Sequence, residues 1–183
     1  LIKLKILIRK KMQQTLLDID LRTLNLKHPP LFNKDDHSKY VNDWRGQYKG
    51  QAAAILKPIN TEEVSAILRF AHKNNVDVVP QGGNTSLCGA ATPDNSGRSI
   101  IISLEKMNNI RQFNKAAQTI TVESGMVLSQ IHEIVENENL FFPLSLGAKG
   151  SCMIGGNLST NAGGVNVLKS VSYTHLTLPT TVS

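Results

Sequence analysis

Gly82-Gly83 followed by Asn84-Thr85-Ser86 stands where the chain leaves an apolar run, within VVPQGGNTSLCGA, residues 78–90. Glycines lack Cβ atoms, so their backbone can take positive φ and approach a ligand closely. Consecutive N–H groups in such a loop form a concave anion site. Asn84, Thr85 and Ser86 can add side-chain donors. The chemistry this suits is the cradling of a phosphate or pyrophosphate. The spacing is neither GxxxxGK(S/T) nor a GxGxxG opening a helix. A tight turn with no ligand is the competing reading.

A second stretch, FPLSLGAKGSCMIGGNLSTNAGG at residues 142–164, interleaves glycines with Ser151, Asn157, Ser159, Thr160 and Asn161. So many glycines predict neither regular helix nor strand. A buried irregular backbone needs partners for its N–H and C=O groups, and a large, flat, polar ligand laid against it would supply them. The alternative is a long solvated surface loop. Phe141, Phe142, Leu144, Leu146, Met153 and Ile154 argue against full exposure.

Other chemistry is thin. His28, His37, His72 and His132 show no clustering that suggests a metal site, and no residue is assigned a catalytic role. Cys88 and Cys152 form no CxxC or Cys/His metal spacing, so a reducing compartment with both thiols free is expected. No apolar run reaches the ~18–20 residues that span a bilayer.

The elements that must position these stretches follow from periodicity. Leu16, Leu17, Ile19, Leu21, Leu24 and Leu26 fit one helix ended by His28-Pro29-Pro30, and Asp43-Trp44-Arg45-Gly46 reads as loop. Ala52–Lys57 is a strand. Asn60 or Thr61 caps a helix whose apolar face is Val64, Ile67, Leu68 and Ala71, and Asn74-Asn75 ends it. Val76–Val79 is the strand that delivers the first loop. Ile100–Leu104 is another strand, Ile110–Phe113 pairs with Thr119–Glu123, and Leu128–Asn137 is a helix with Ile131, Ile134 and Val135 on its apolar side.

The formal charge of +6 over 183 residues is concentrated at one end. Residues 1–11 carry Lys3, Lys5, Arg9, Lys10 and Lys11 and no acid; without them 15 bases face 14 acids. The nearly neutral body offers no concentrated basic face, so no nucleic-acid partner is expected. Residues 1–11 are expected to be a translated upstream segment before a start at Met12 rather than a targeting peptide. At the other end, VSYTHLTLPTT, residues 171–181, resembles the in-frame translation of a transposon-end adapter used in sequencing libraries. Native sequence is therefore expected to stop at about Lys169 or Ser170, and His175 is not recruited as a base.

The order PQGGNTSL, strand SIIISLEKMNNI, TVESG and FPLSLGAKGSCMIGGNLSTNAGG resembles the FAD-binding domain of the vanillyl-alcohol oxidase and p-cresol methylhydroxylase (PCMH) superfamily. Within it, the motifs are most similar to the branch of D-2-hydroxyglutarate dehydrogenase, D-lactate dehydrogenase and the glycolate oxidase FAD subunit. The resemblance covers about Asp43 to Lys169. It implies an α+β fold, a two-lobed PCMH-type domain with FAD held between the lobes. The second lobe is expected to be incomplete and the substrate-binding cap domain absent. Residues 12–50 form a lead-in, 51–169 the FAD-binding domain and 170–183 the adapter-derived tail.

By the same resemblance, Gln81, Gly82, Gly83, Asn84, Thr85 and Ser86 match the loop that wraps the FAD pyrophosphate. Pro143, Gly150, Ser151, Ile154, Gly155, Gly156, Asn157, Thr160 and Gly163 match the second wall, near the ribityl chain and isoalloxazine ring. Some relatives attach FAD through a histidine in the first loop. That stretch has none here and Asn84 stands near the place, so FAD is expected to be non-covalent. Ser86 replaces the family's usual glycine, a departure that matters if the position needs positive φ.

The reaction the resemblance implies oxidises a small D-2-hydroxy acid, 2-hydroxyglutarate-like, to the 2-oxo acid by hydride transfer to flavin N5, in the cytoplasm, with the electron acceptor left open. D-lactate or glycolate as substrate, a non-catalytic nucleotide-binding module and an inert assembly product with no stable fold remain alternatives at this stage.

Overall fold

The computed structural model describes residues 21–166. Residues 1–20 and 167–183, with both expectations about the termini, lie outside them, as does most of the helix expected from Leu16; Leu21 and Arg22 are helical. The chain divides into two compact units, one running to Met107 and the other starting at Asn108. The fold is α+β, as the resemblance implies.

In the first unit three short strands form a parallel sheet in the order β1-β3-β2, with β1 Ala54–Leu56, β2 Val78–Gln81 and β3 Ile100–Ser103. The central β3 is buried throughout, which is why Ile100-Ile101-Ile102 reads as a continuous apolar run rather than an alternating one. Alternation persists in where the side chains go. Ile100 and Ile102 join Ala54, Leu56, Ile67 and Ala71 in one cluster, while Ile101 joins Ile55, Ala52 and Tyr40 in another. Pro80, which has no N–H to give, sits exposed in the edge strand β2.

The helix between β1 and β2, α2 (Thr61–Asn74), is set at both ends. The Asn60 side chain accepts from the Glu63 N–H at 2.8 Å, a cap worth about 1 kcal/mol. The Glu63 carboxylate in turn accepts from the Ile59 N–H at 3.0 Å and the Lys27 N–H at 2.9 Å, tying the helix start to the lead-in. Asn75 ends it at φ 51°, a left-handed position that asparagine tolerates. Leu68, expected on the buried face, is instead 46% exposed, and Phe70 packs on the core in its place.

Ahead of the sheet lies a short helical turn. Asn33 caps a 3-10 segment at Lys34–His37, which runs into α1, Ser38–Val41. The preceding Leu31 pairs with Ile55, giving and receiving one backbone bond at 2.9 and 3.0 Å, so the lead-in adds a single rung to the sheet beside β1.

The second unit opens with the expected hairpin, β4 Ile110–Asn114 against β5 Thr119–Val122, with a register shift between Ile110 and Gln112. The buried Glu123 closes its base, accepting from the Asn109 N–H at 3.0 Å, its carboxamide at 2.9 Å and the Arg111 guanidinium at 3.2 Å. Helix α3, Leu128–Glu136, buries Leu128, Ile131 and Val135 against Met126, Leu144, Cys152 and Ile154.

One expectation fails here. The Gly-rich stretch is not irregular throughout, because Ile154–Ser159 forms a short helix, α4. Its start is templated by fixed carbonyls: the Ile154 N–H donates to Met126 at 2.9 Å and the Gly155 N–H to Ser124 at 2.9 Å. Glycine is needed at 155 because a Cβ there would lie 2.7 Å from the Ser124 Cβ. Close packing thus outweighs the low helix propensity of glycine.

Candidate functional site: a braced backbone loop

The first Gly-rich loop leaves β2 at Gln81, which is 2% exposed. Its side-chain NH2 donates to the Tyr40 carbonyl at 2.8 Å and to the Ala91 carbonyl at 2.8 Å. Gln81 therefore clasps both ends of the loop from beneath rather than pointing out of it.

Beyond it, none of the backbone N–H groups of Gly82, Gly83, Asn84, Thr85 and Ser86 donates to another described residue, and all five residues are half-buried. Buried N–H groups are nearly always paired. A run of unpaired donors on a loop that is itself held in place is the arrangement an oxyanion requires.

The left-handed positions of the loop are Asn84, φ 53°, and Gly89, φ 68°; Gly82, Gly83 and Ser86 are not among them. Serine in place of the family's usual glycine at 86 therefore carries no backbone strain. Its hydroxyl lies 3.2 Å from the Cys88 sulfur and accepts from the Cys88 N–H at 3.3 Å. That contact holds the exposed Cys88 thiol below its ordinary pKa, helped by the Ala90 N–H. The Asn84 side chain, expected as a ligand donor, is engaged elsewhere: its NH2 donates to the carbonyls of Asn42 at 2.7 Å and Lys39 at 3.3 Å.

Two more side chains reach the loop, Arg45 and Tyr48. The Arg45 guanidinium donates to the Leu87 carbonyl. The Tyr48 ring lies where a Cβ on Gly89 would approach within 2.7 Å, so glycine is required there twice over. Asp43 fixes the turn between them, accepting from the Tyr48 N–H at 2.7 Å, and that bond lowers its carboxyl pKa. Tyr40 is held in turn through its hydroxyl, which donates to Glu105 at 3.1 Å. Glu105 also pairs with Lys57 at 3.0 Å and Lys39 at 3.8 Å. Burial pushes the Glu105 carboxyl up, but the Lys57 bond and charge and the Lys39 charge outweigh it and leave it below the ordinary range.

Tyr40, Arg45, Tyr48 and Glu105 were invisible as site residues in the sequence. Tyr40, Arg45 and Tyr48 lie 41 or 42 positions from the loop residues they touch, and no spacing rule links them. The only signal was that the stretch from Asp43 already belonged to the region of resemblance.

The second unit, taken by itself, places its expected residues in three ways. Ile154 is a core side chain, and Asn157 is buried with its NH2 3.5 Å from the Cys152 sulfur. Burial raises the Cys152 thiol's pKa. Thr160 turns its hydroxyl back to the Gly156 carbonyl at 3.0 Å, and Pro143 accepts from Asn166 at 2.8 Å. Gly150, Ser151 and Gly156 are exposed, and Gly163 is half-buried. An added Cβ at Gly150 or Gly156 would meet nothing within 4 Å, in contrast to Gly155. The unit's own packing does not ask for glycine at either place.

Two of the four histidines singled out in the sequence, His37 and His132, serve the backbone. The His37 ring nitrogen lies 2.9 Å from the Leu31 carbonyl and that of His132 lies 2.8 Å from the Leu144 carbonyl. Among the described residues no cluster of three or more His, Cys, Asp or Glu could hold a metal, and no helix is long and apolar enough to cross a membrane.

A family described as FAD binding domain matches residues 52–179. This chain belongs to that FAD-binding domain family. A rice protein (Oryza sativa subsp. indica) named "Probable D-2-hydroxyglutarate dehydrogenase, mitochondrial" is 46% identical over 127 residues, 69% of this chain and 22% of that protein. A D-2-hydroxyglutarate dehydrogenase of Xanthomonas citri pv. viticola is 39% identical over 146 residues, 80% of this chain and 30% of that one. The FAD-binding domain described here thus spans between a fifth and a third of these relatives' lengths. Among solved structures, alkyldihydroxyacetonephosphate synthase superimposes with a TM-score of 0.70 at 22% identity, over 79% of this chain and 29% of that one. That likeness shows a shared fold. FAD is the cofactor of the family, and the N–H groups from Gly82 to Ser86 are left without partners among the described residues.

Proposed function

We propose that this FAD-binding domain serves a flavin-dependent dehydrogenase that oxidises a D-2-hydroxy acid, of the 2-hydroxyglutarate type, to the 2-oxo acid. The observation that carries the cofactor half of the reading is the set of five consecutive N–H groups from Gly82 to Ser86, unpaired among the described residues and half-buried. The substrate half rests on the named relatives, which share 39–46% identity with this chain.

When bound, FAD supplies a hydride acceptor at its N5 atom. The work of this chain's residues is to hold and orient. The Gly82–Ser86 amides take the pyrophosphate oxygens, and Gln81 keeps the two ends of the loop together from below. In the second unit, the open glycines Gly150 and Gly156 are the positions where a ring or ribityl chain can lie against backbone. Pro143, Ser151, Gly155 and Gly163 belong to the same proposed flavin-facing stretch. Ile154 and Asn157 serve it as buried supports and Thr160 as the end of its helix. No side chain here is given a catalytic role. The loop from Gln81 to Ala90 holds no histidine, which supports non-covalent attachment. Two free thiols, Cys88 and Cys152, suit a reducing compartment, and the cytoplasm is the location we propose.

Titration of the full chain with FAD, followed by quenching of flavin fluorescence, tests the cofactor reading. FAD should bind more tightly than riboflavin, which lacks the pyrophosphate. Equal affinity for the two would remove the loop from the site. Acid precipitation of the loaded protein should leave the flavin in the supernatant.

A further inference from the structure

We infer that the segment Lys39–Tyr48, which lies ahead of the family-matched region, is a positioning brace for the cofactor loop, acting through Asn84 at one end and Gly89 at the other. The inference rests on the reading of Gly82–Ser86 as the pyrophosphate site. Its basis is the convergence of four contacts from one short segment onto one loop. Tyr40 gives its carbonyl to Gln81, and Asn42 gives its carbonyl to Asn84. Arg45 donates to the Leu87 carbonyl, and the Tyr48 ring packs on Gly89. The matched family region begins at residue 52, so none of the four groups lies inside it.

The physical consequence concerns population. The Gly82–Ser86 N–H groups have no partners among the described residues to fix their direction. The contacts inside the loop, Gln81 to Ala91 and Ser86 to Cys88, engage none of those N–H groups. A loop without side-chain anchors would sample many arrangements, and apparent affinity falls in proportion to the fraction that is competent. Asn84 is suited to the task because asparagine tolerates the left-handed backbone while its carboxamide reaches two carbonyls. Its place in the loop is therefore that of an anchor, with its side chain turned to the brace.

The test uses the full chain with Asn84→Gly, Tyr48→Ala and Tyr48→Phe. Glycine keeps the left-handed conformation without strain and deletes the anchor. Alanine at 48 deletes the ring, and phenylalanine restores it. FAD dissociation constants are read by flavin fluorescence, beside thermal midpoints and the amide resonances of Gly82–Ser86 in cofactor-free protein. We expect Asn84→Gly and Tyr48→Ala each to weaken FAD binding about tenfold. Tyr48→Phe should match the parent, midpoints should hold, and the loop amides of the two weakened variants should move toward random-coil positions. Parent-like FAD affinity in both Asn84→Gly and Tyr48→Ala overturns the brace alone. So does a loss of affinity that follows a lowered midpoint with the loop resonances unmoved. A parent chain that binds no FAD overturns the reading of the site, and the inference with it.

Discussion

The Asn84 side chain donates to the Asn42 carbonyl at 2.7 Å across 42 positions of sequence, and this bond joins a lead-in turn to the loop proposed to hold the cofactor. The residues that give the loop its shape are therefore distinct from the groups that would touch the ligand. The first are buried side chains and distant carbonyls, and the second are backbone amides.

Gln81→Leu should destabilise the first unit strongly. It strips the donor from both the Tyr40 and Ala91 carbonyls. Two carbonyls losing a donor implies a loss of about 2–3 kcal/mol. Urea denaturation checks this, with an unchanged midpoint as the contrary result.

Glycines 155 and 156 should respond in opposite directions. Gly155→Ala puts a methyl 2.7 Å from the Ser124 Cβ and 2.8 Å from its carbonyl oxygen, so it should destabilise the second unit. Overpacking of this kind costs about 1–3 kcal/mol. Gly156→Ala meets nothing within 4 Å and should be neutral or stabilise α4, by up to about 1 kcal/mol. Under the proposed function it should also weaken flavin retention. Melting curves with and without FAD separate the two effects.

Glu105 should contribute to acid sensitivity. Its carboxyl pKa is lower in the folded protein than the ordinary 4.5. The stability it contributes is then fully present above that value and lost as pH falls through the folded pKa. Glu105→Gln should lower stability at neutral pH and flatten the decline below about pH 4.5 relative to the parent. Stability curves of the two proteins that stay parallel into acid would exclude the role.

The thiols should differ sharply. Cys88 is exposed with a lowered pKa, and Cys152 is buried with a raised one. Iodoacetamide at neutral pH should modify Cys88 first, since the thiolate is the reactive form. Mass spectrometry of the early product shows which residue is carried. Equal labelling of the two would contradict the environments described.

What the sequence made legible follows from the range of the interactions. The apolar runs at Ile100–Ile102 and Ala54–Leu56, the Asn60 cap and the β4–β5 hairpin are set by neighbours within a few positions, and each was readable. The loop at Gly82-Gly83 was readable as a loop because adjacent glycines after a strand are a local signature. The brace was not, because Tyr40 and Tyr48 act across some forty positions through a carbonyl and a ring face that leave no pattern. Helix α4 was missed for a related reason: its glycine content argues against helix, while the Met126 and Ser124 carbonyls that start it lie 28 and 31 positions before the residues they bond.

The most direct test of the central claim is an FAD titration of isotope-labelled chain, following the backbone amide resonances of Gly82 to Ser86. The account predicts that these five move together and downfield as phosphate oxygens accept from them, saturating with the flavin fluorescence. Flavin binding that leaves the five resonances in place would contradict it.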